Sequence, residues 1–134
     1  MILEIIAAIG LAFGALLGLG SLINPAWAAG VVRLVADPAP DRPGGYSEFR
    51  ATYGGLLLLS HGAALVLLFA SGHVHGAYIA LPFALGWFGA ALGRTLSLML
   101  DRTELRAAGM NPVWIASEVT LGLAIGAPML HLIG

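Results

Sequence analysis

An arginine at position 94 and a glutamate at position 118 stand inside stretches of sequence otherwise apolar enough to cross a membrane. An ionisable group in hydrocarbon costs roughly 2.5–3.5 kcal/mol even on the gentler insertion scales, so such groups are normally paired or put to use. Arg94 precedes Leu100 by six residues and Glu118 follows Pro112 by six. At 1.5 Å of rise per residue, each lies about 9 Å in from the end of its segment. Matching depths on consecutive, antiparallel segments predict a direct salt bridge. Its simplest use is to hold two helices in register, and binding or proton movement is the functional alternative.

A second polar group opens the segment before them, Tyr46-Ser47-Glu48-Phe49-Arg50-Ala51-Thr52-Tyr53-Gly54-Gly55. Glu48 is placed to accept from Arg94 or Arg102, Ser47 to cap a helix, Arg50 to turn back toward headgroups, and Tyr53 to send its hydroxyl toward the Arg94–Glu118 pair. Asp101 falls on the same stripe as Arg94. Glu48, Arg50, Tyr53, Arg94, Asp101 and Glu118 therefore form one expected buried polar network or ligand site. His61 lies near the middle of its apolar run, where a histidine is a candidate proton relay, or simply a donor to a nearby carbonyl or hydroxyl. His73 and His75, in a short connection, share an end of the molecule with His131 and Glu4. These are metal-ligand types, but loop histidines are ordinarily solvated, and no metal or cofactor is assigned from the sequence. His-Glu-x-x-His, nucleophile-elbow, Walker and dinucleotide motifs are all missing, which points away from an enzyme.

The elements that must position these groups follow from composition. Of 134 residues, 59% are hydrophobic and 10% charged, and the mean hydropathy is +0.92. Ordinary soluble chains carry roughly 25% charged residues, so this is a membrane composition. Four apolar runs, about 2–22, 51–70, 76–100 and 113–133, each approach the ~20 residues a helix needs to span the hydrocarbon. The prediction is an all-α integral membrane protein, a four-transmembrane-helix bundle with short loops, forming a single domain over 1–134. Asn24-Pro25 predicts a short interfacial helix after the first span, reaching Val35. Asn111-Pro112 reads as an N-cap and first helical proline for the fourth. The proline-rich segment 37–45 reads as an exposed loop, and 71–75 as a tight connection. The first segment is read as a span rather than a signal peptide, because it lacks a basic start and carries Glu4.

All six basic residues are arginines, at 33, 42, 50, 94, 102 and 106, and with four spans they fall on one side. The positive-inside rule then makes that side cytoplasmic and both termini periplasmic in a bacterial inner membrane. A net charge of -1 without a basic patch excludes nucleic acid as a natural partner and leaves the lipid bilayer. Zero cysteines remove thiolate catalysis and disulfides. Small residues recur at helical spacing as Gly10/Gly14/Gly18, Gly86/Ala90, Gly89/Gly93 and Gly122/Gly126, which predicts close helix contacts inside the bundle.

Taken in order, Asn24-Pro25, Glu48-Phe-Arg50-Ala-x-Tyr53-Gly54-Gly55, Gly93-Arg94-x-x-Ser97-x-x-x-Asp101 and Glu118 resemble a bacterial four-span membrane family classed as a domain of unknown function. The likeness covers almost the whole chain. It implies a small integral membrane protein and adds Ser97 to the network, but brings no chemistry with it. Arg102 stands where that family often has a small residue. Three functions are then open: an accessory or structural subunit, as a homo-oligomer or in a larger membrane complex; a small-molecule or proton-linked transporter using Arg94 and Glu118; and a binder of a lipid or quinone-like molecule.

Overall fold

The computed structural model describes residues 1–33, 45–101 and 111–133, with Asn111 by its backbone only. The expected loop at 37–44, Arg42, Arg102 and Arg106 lie outside the described residues. Among the described residues every element is helical and no strand occurs. In chain order these are α1 (Ile2–Ile23), α2 (Pro25–Val32), α3 (Tyr46–Glu48), a π-helical segment (Phe49–Leu56), α4 (Leu57–Ala70), α5 (His73–Leu100), α6 (Asn111–Gly126) and a 3-10 segment (Ala127–Leu132). Among the described residues four stretches are long and apolar enough to cross a membrane: Ile2–Ile23, Tyr46–Ala70, His73–Leu100 and Pro112–Leu132.

Three local departures from the expected spans have clear causes. The second span starts at Tyr46 rather than near 51, because extended Gly45 serves as N-cap and Glu48 reaches back to its N–H. Its next eight residues form a π-helix, whose wider turn coincides with Gly54-Gly55, the poorest helix formers in the span. The fourth span does not stay α-helical to 133. Pro128 has no N–H to give the carbonyl four residues back, so the helix tightens into 3-10 after Gly126. Near the first span, Asn24 accepts from Trp27 N–H at 3.1 Å, and Pro25 takes the first helical position of α2. That helix ends at Val32, short of the expected Val35, where Arg33 turns left-handed at φ 58.

The chain divides into two compact units, Met1–Gly10 with Val66–Gly134, and Leu11–Leu65. In the first, α5 lines its packed face with Gly76, Ala77, Ala80, Ala84 and Ala91. Gly122 of α6 meets the ring of Phe88, and a Cβ added there would lie 2.7 Å from it. Gly10 is held as tightly against Ile125, which is fully buried. In the second unit the spacing of α1 continues: a Cβ on Gly18 would reach 2.3 Å from the Leu58 backbone nitrogen, and one on Gly54 would sit 2.8 Å from the Leu22 side chain. The π-helical segment and α1 are thus in near-backbone contact. Helix α2 covers the same region through Ala28 and Ala29, packed with Phe49, Val32 and Tyr53.

One expected ridge is corrected. Gly86, Gly89 and Gly93 of α5 have nothing within 4 Å of an added Cβ, and Ala90 beside them is exposed. The α1 and α6 glycines make contacts within their units, and among the described residues nothing lies against an added Cβ at these three. They lie on the face of α5 that turns away from its alanine-lined side.

Candidate functional site

Arg94 and Glu118 meet as their depths predict. Arg94 Nε donates to Glu118 Oε1 at 2.7 Å, across the packed pair α5 and α6. The partners differ in environment: the Glu118 side chain is 6% exposed, that of Arg94 32%. The guanidinium carbon also lies 5.9 Å from the ring centre of Trp114, one helical turn before Glu118. Glu118 Oε2 is buried and has no hydrogen-bond partner among the described residues. The sequence reading missed Trp114, although its position four residues before Glu118 is a signal that could have found it.

Of the other members of the expected network, Glu48 bonds at the start of its own helix and Arg50 reaches a carbonyl of α1. Glu48 Oε2 accepts from Gly45 N–H at 3.0 Å and from the Ser47 hydroxyl at 2.6 Å, so it closes the start of its own helix. Ser47 is therefore a residue of that helix and not its cap. Arg50 does not simply reach outward: its Nε donates to the Leu22 carbonyl at 3.1 Å, satisfying one of the last acceptors of α1. The Tyr53 ring stacks on Phe49 at 5.9 Å and lines a small cavity of about 40 Å³ with Trp27, Ser21 and Val32. Ser97 accepts the Asp101 N–H through its carbonyl, and Asp101 ends α5 in an extended conformation. Glu48, Arg50 and Tyr53 belong to the unit 11–65; Arg94, Ser97, Asp101 and Glu118 belong to the other.

His61 lies inside the second apolar span. It is buried, and its Nδ1 donates to the Leu57 carbonyl one turn back at 3.1 Å. The ring fills the space left by Gly14, where an added Cβ would fall 2.2 Å from it.

A third polar centre is better formed than the sequence suggested. His73 and His75 are in the first turn of α5 rather than in a loop, after Gly72 turns with φ 79. His73 Nδ1 lies 2.5 Å from Glu4 Oε1, and His131 Nε2 lies 3.0 Å from the same oxygen. Glu4 is buried, with the Met1 nitrogen 2.6 Å from its other oxygen. The two imidazole rings are 5.4 Å apart. Glu4, His73 and His131 each offer one ligand atom, and these atoms fall within 4.8 Å of one another. His131 comes into reach because Pro128 redirects the chain after α6. His75 is exposed and lies outside this group.

The described residues define the class: every element is helical, and four helices among them are long and apolar enough to cross a membrane. Comparison with protein-family models, with curated proteins and with solved structures finds no match.

Proposed function

We propose that the chain is a multi-pass protein of the bacterial inner membrane, both termini periplasmic, acting as an accessory or structural subunit that associates laterally with another membrane helix. The membrane reading is supported by the apolar residues left outside the packing, among them Ile9, Leu16, Leu59 and Leu123, each more than half exposed. In water, faces of that kind are aggregation surfaces; in lipid they are the natural solvent contact. The bacterial origin and the small four-span architecture follow the family resemblance above.

The observation that carries the accessory role is the open ridge Gly86, Gly89, Ala90 and Gly93 on α5. Glycine inside a helix sacrifices about 1 kcal/mol of propensity relative to alanine, so three along one stretch call for close helix approach. Within its own unit α5 makes no such approach there. A second copy of the chain, or a helix of a larger membrane complex, fits that face. The Arg94–Glu118 bond serves this role by fixing α5 against α6, so that the ridge is presented in one register.

A cysteine placed by Gly89→Cys tests this, in a chain that otherwise has none. In native membranes it should cross-link to a second copy or to one defined protein, and adding Gly86→Leu and Gly93→Leu should abolish the product at unchanged folded yield. Absence of any cross-link, or cross-linking indifferent to the leucines, overturns the reading.

One observation favours a second function. The unpartnered Oε2 of buried Glu118 could accept a proton, as a proton-linked carrier requires. Glu118→Gln should then abolish substrate-driven proton uptake in proteoliposomes while leaving folded yield intact. The binder of a lipid or quinone-like molecule has less support. The apolar groove of about 300 Å³ along α5 and α6, lined by residues such as Phe88, Leu123 and Met129, includes neither Arg94 nor Glu118 in its wall.

A further inference from the structure

We propose that Glu4, His73 and His131 bind one divalent transition-metal ion of the zinc type. Three elements far apart in sequence supply the donors: the first turn of α1, the first turn of α5 and the 3-10 segment after α6. Two imidazole nitrogens and a carboxylate oxygen are the donor set for zinc and its first-row neighbours; magnesium and calcium select oxygen ligands. The site is separate from the Arg94–Glu118 pair, since His73 and Arg94 are 21 residues apart on α5, about 32 Å of helix.

The geometry suits an ion. Zinc holds nitrogen and oxygen ligands at about 2.0–2.2 Å, which puts tetrahedral neighbours roughly 3.3 Å from one another. The two histidine nitrogens now stand 2.5 and 3.0 Å from Glu4 Oε1. A small outward shift of the two histidines from Glu4 Oε1, with all three donors already within 4.8 Å of one another, converts two hydrogen bonds to one carboxylate oxygen into three metal bonds. The movable members are the exposed ones: the His73 side chain is 66% exposed and that of His131 34%, while Glu4, at 4%, is the fixed anchor. Binding needs His73 Nδ1 and His131 Nε2 free of protons, and each ring can carry its proton on the other nitrogen. Glu4 Oε1 is the carboxylate oxygen that faces both histidine nitrogens, and it is the oxygen for the metal.

A cavity of about 140 Å³ borders Glu4 and His73, with Leu68, Phe69 and Gly72 completing its wall. It gives a fourth ligand, water or a small anion, access to the ion. Three protein donors and an open position distinguish this arrangement from a closed four-ligand structural site.

The test uses full-length protein in lipid nanodiscs, carrying an affinity tag without histidine and stripped with a chelator. Co2+ is added as a spectroscopic probe, and Zn2+ is added in competition. One Co2+ per chain, with the intense visible bands of four-coordinate cobalt, is expected, and Zn2+ should displace it. His73→Ala and His131→Ala should each weaken binding at least tenfold, and His75→Ala should leave it unchanged. Glu4 is buried, so Glu4→Gln is read only if thermal unfolding shows the variant folded; the two histidine variants, at exposed positions, decide the matter. Co2+ binding that is equal in wild type, His73→Ala and His131→Ala overturns the proposal, as does the absence of stoichiometric binding. A result confined to His75→Ala would place the metal elsewhere and overturn it too.

Discussion

Breaking the Arg94–Glu118 pair from each side should give unequal costs, because the partners are unequally buried. Arg94→Met leaves the Glu118 carboxylate, 6% exposed, without its only observed hydrogen-bond donor among the described residues. Removing one member of a buried ion pair costs about 3–5 kcal/mol for that reason. Glu118→Leu leaves Arg94, a third exposed and over the Trp114 ring, free to turn toward solvent or headgroups. Its loss should be nearer ~1.5–3 kcal/mol, the net worth of a hydrogen bond to a charged group. Removing both partners together takes away the stranded carboxylate, so the double variant should cost no more than Glu118→Leu alone. The cycle then yields a coupling of at least ~3 kcal/mol, the cost of Arg94→Met alone, against an average of ~0.6 for interhelical hydrogen bonds in a membrane protein. Reversible unfolding in mixed micelles with increasing SDS measures all four proteins. Equal costs for the two single variants, or additivity within ~0.5 kcal/mol, would refute the argument from burial.

The pair was legible because depth in an apolar helix can be counted from the sequence, and a charge there must find a partner. The glycines of α1 and α6 were legible for a similar reason, since repeats of four residues align on one face. Gly86, Gly89 and Gly93 share that spacing but face outward, and spacing alone does not say which face of a helix is covered. Arg50 illustrates another limit. Its partner is the Leu22 carbonyl, 28 residues away, and a backbone acceptor leaves no trace in side-chain chemistry. Glu48 has donors within three residues, at Gly45 N–H and Ser47, and local bonds of that kind do not show in the spacing of charged residues. The Glu4 centre depends on Pro128. A continuous α-helix over 113–133 would set His131 at a different rotation and rise from the 3-10 segment in which its Nε2 meets Glu4 Oε1 at 3.0 Å. The π-helical start of the second span was not foreseen, and Gly54-Gly55 was its one visible sign.

Two substitutions test local packing. Asn24→Ala removes the side-chain acceptor of Trp27 N–H and should cost about 1 kcal/mol, read as faster amide exchange at Trp27 and Ala28; unchanged exchange would deny the cap. Gly14→Ala and Gly62→Ala make a sharper contrast, because both are glycines inside helices where alanine is intrinsically favoured by about 1 kcal/mol. At Gly62 nothing lies within 4 Å of the new methyl, so the variant should be more stable by up to that amount. At Gly14 the methyl would fall 2.2 Å from the His61 ring, and the ring must turn away from its bond to Leu57 or α1 must shift. Overpacking of that kind costs about 1–3 kcal/mol, enough to reverse the propensity gain. Opposite signs in the same unfolding assay are expected; a stabilised Gly14→Ala would mean that His61 does not fill the space beside α1.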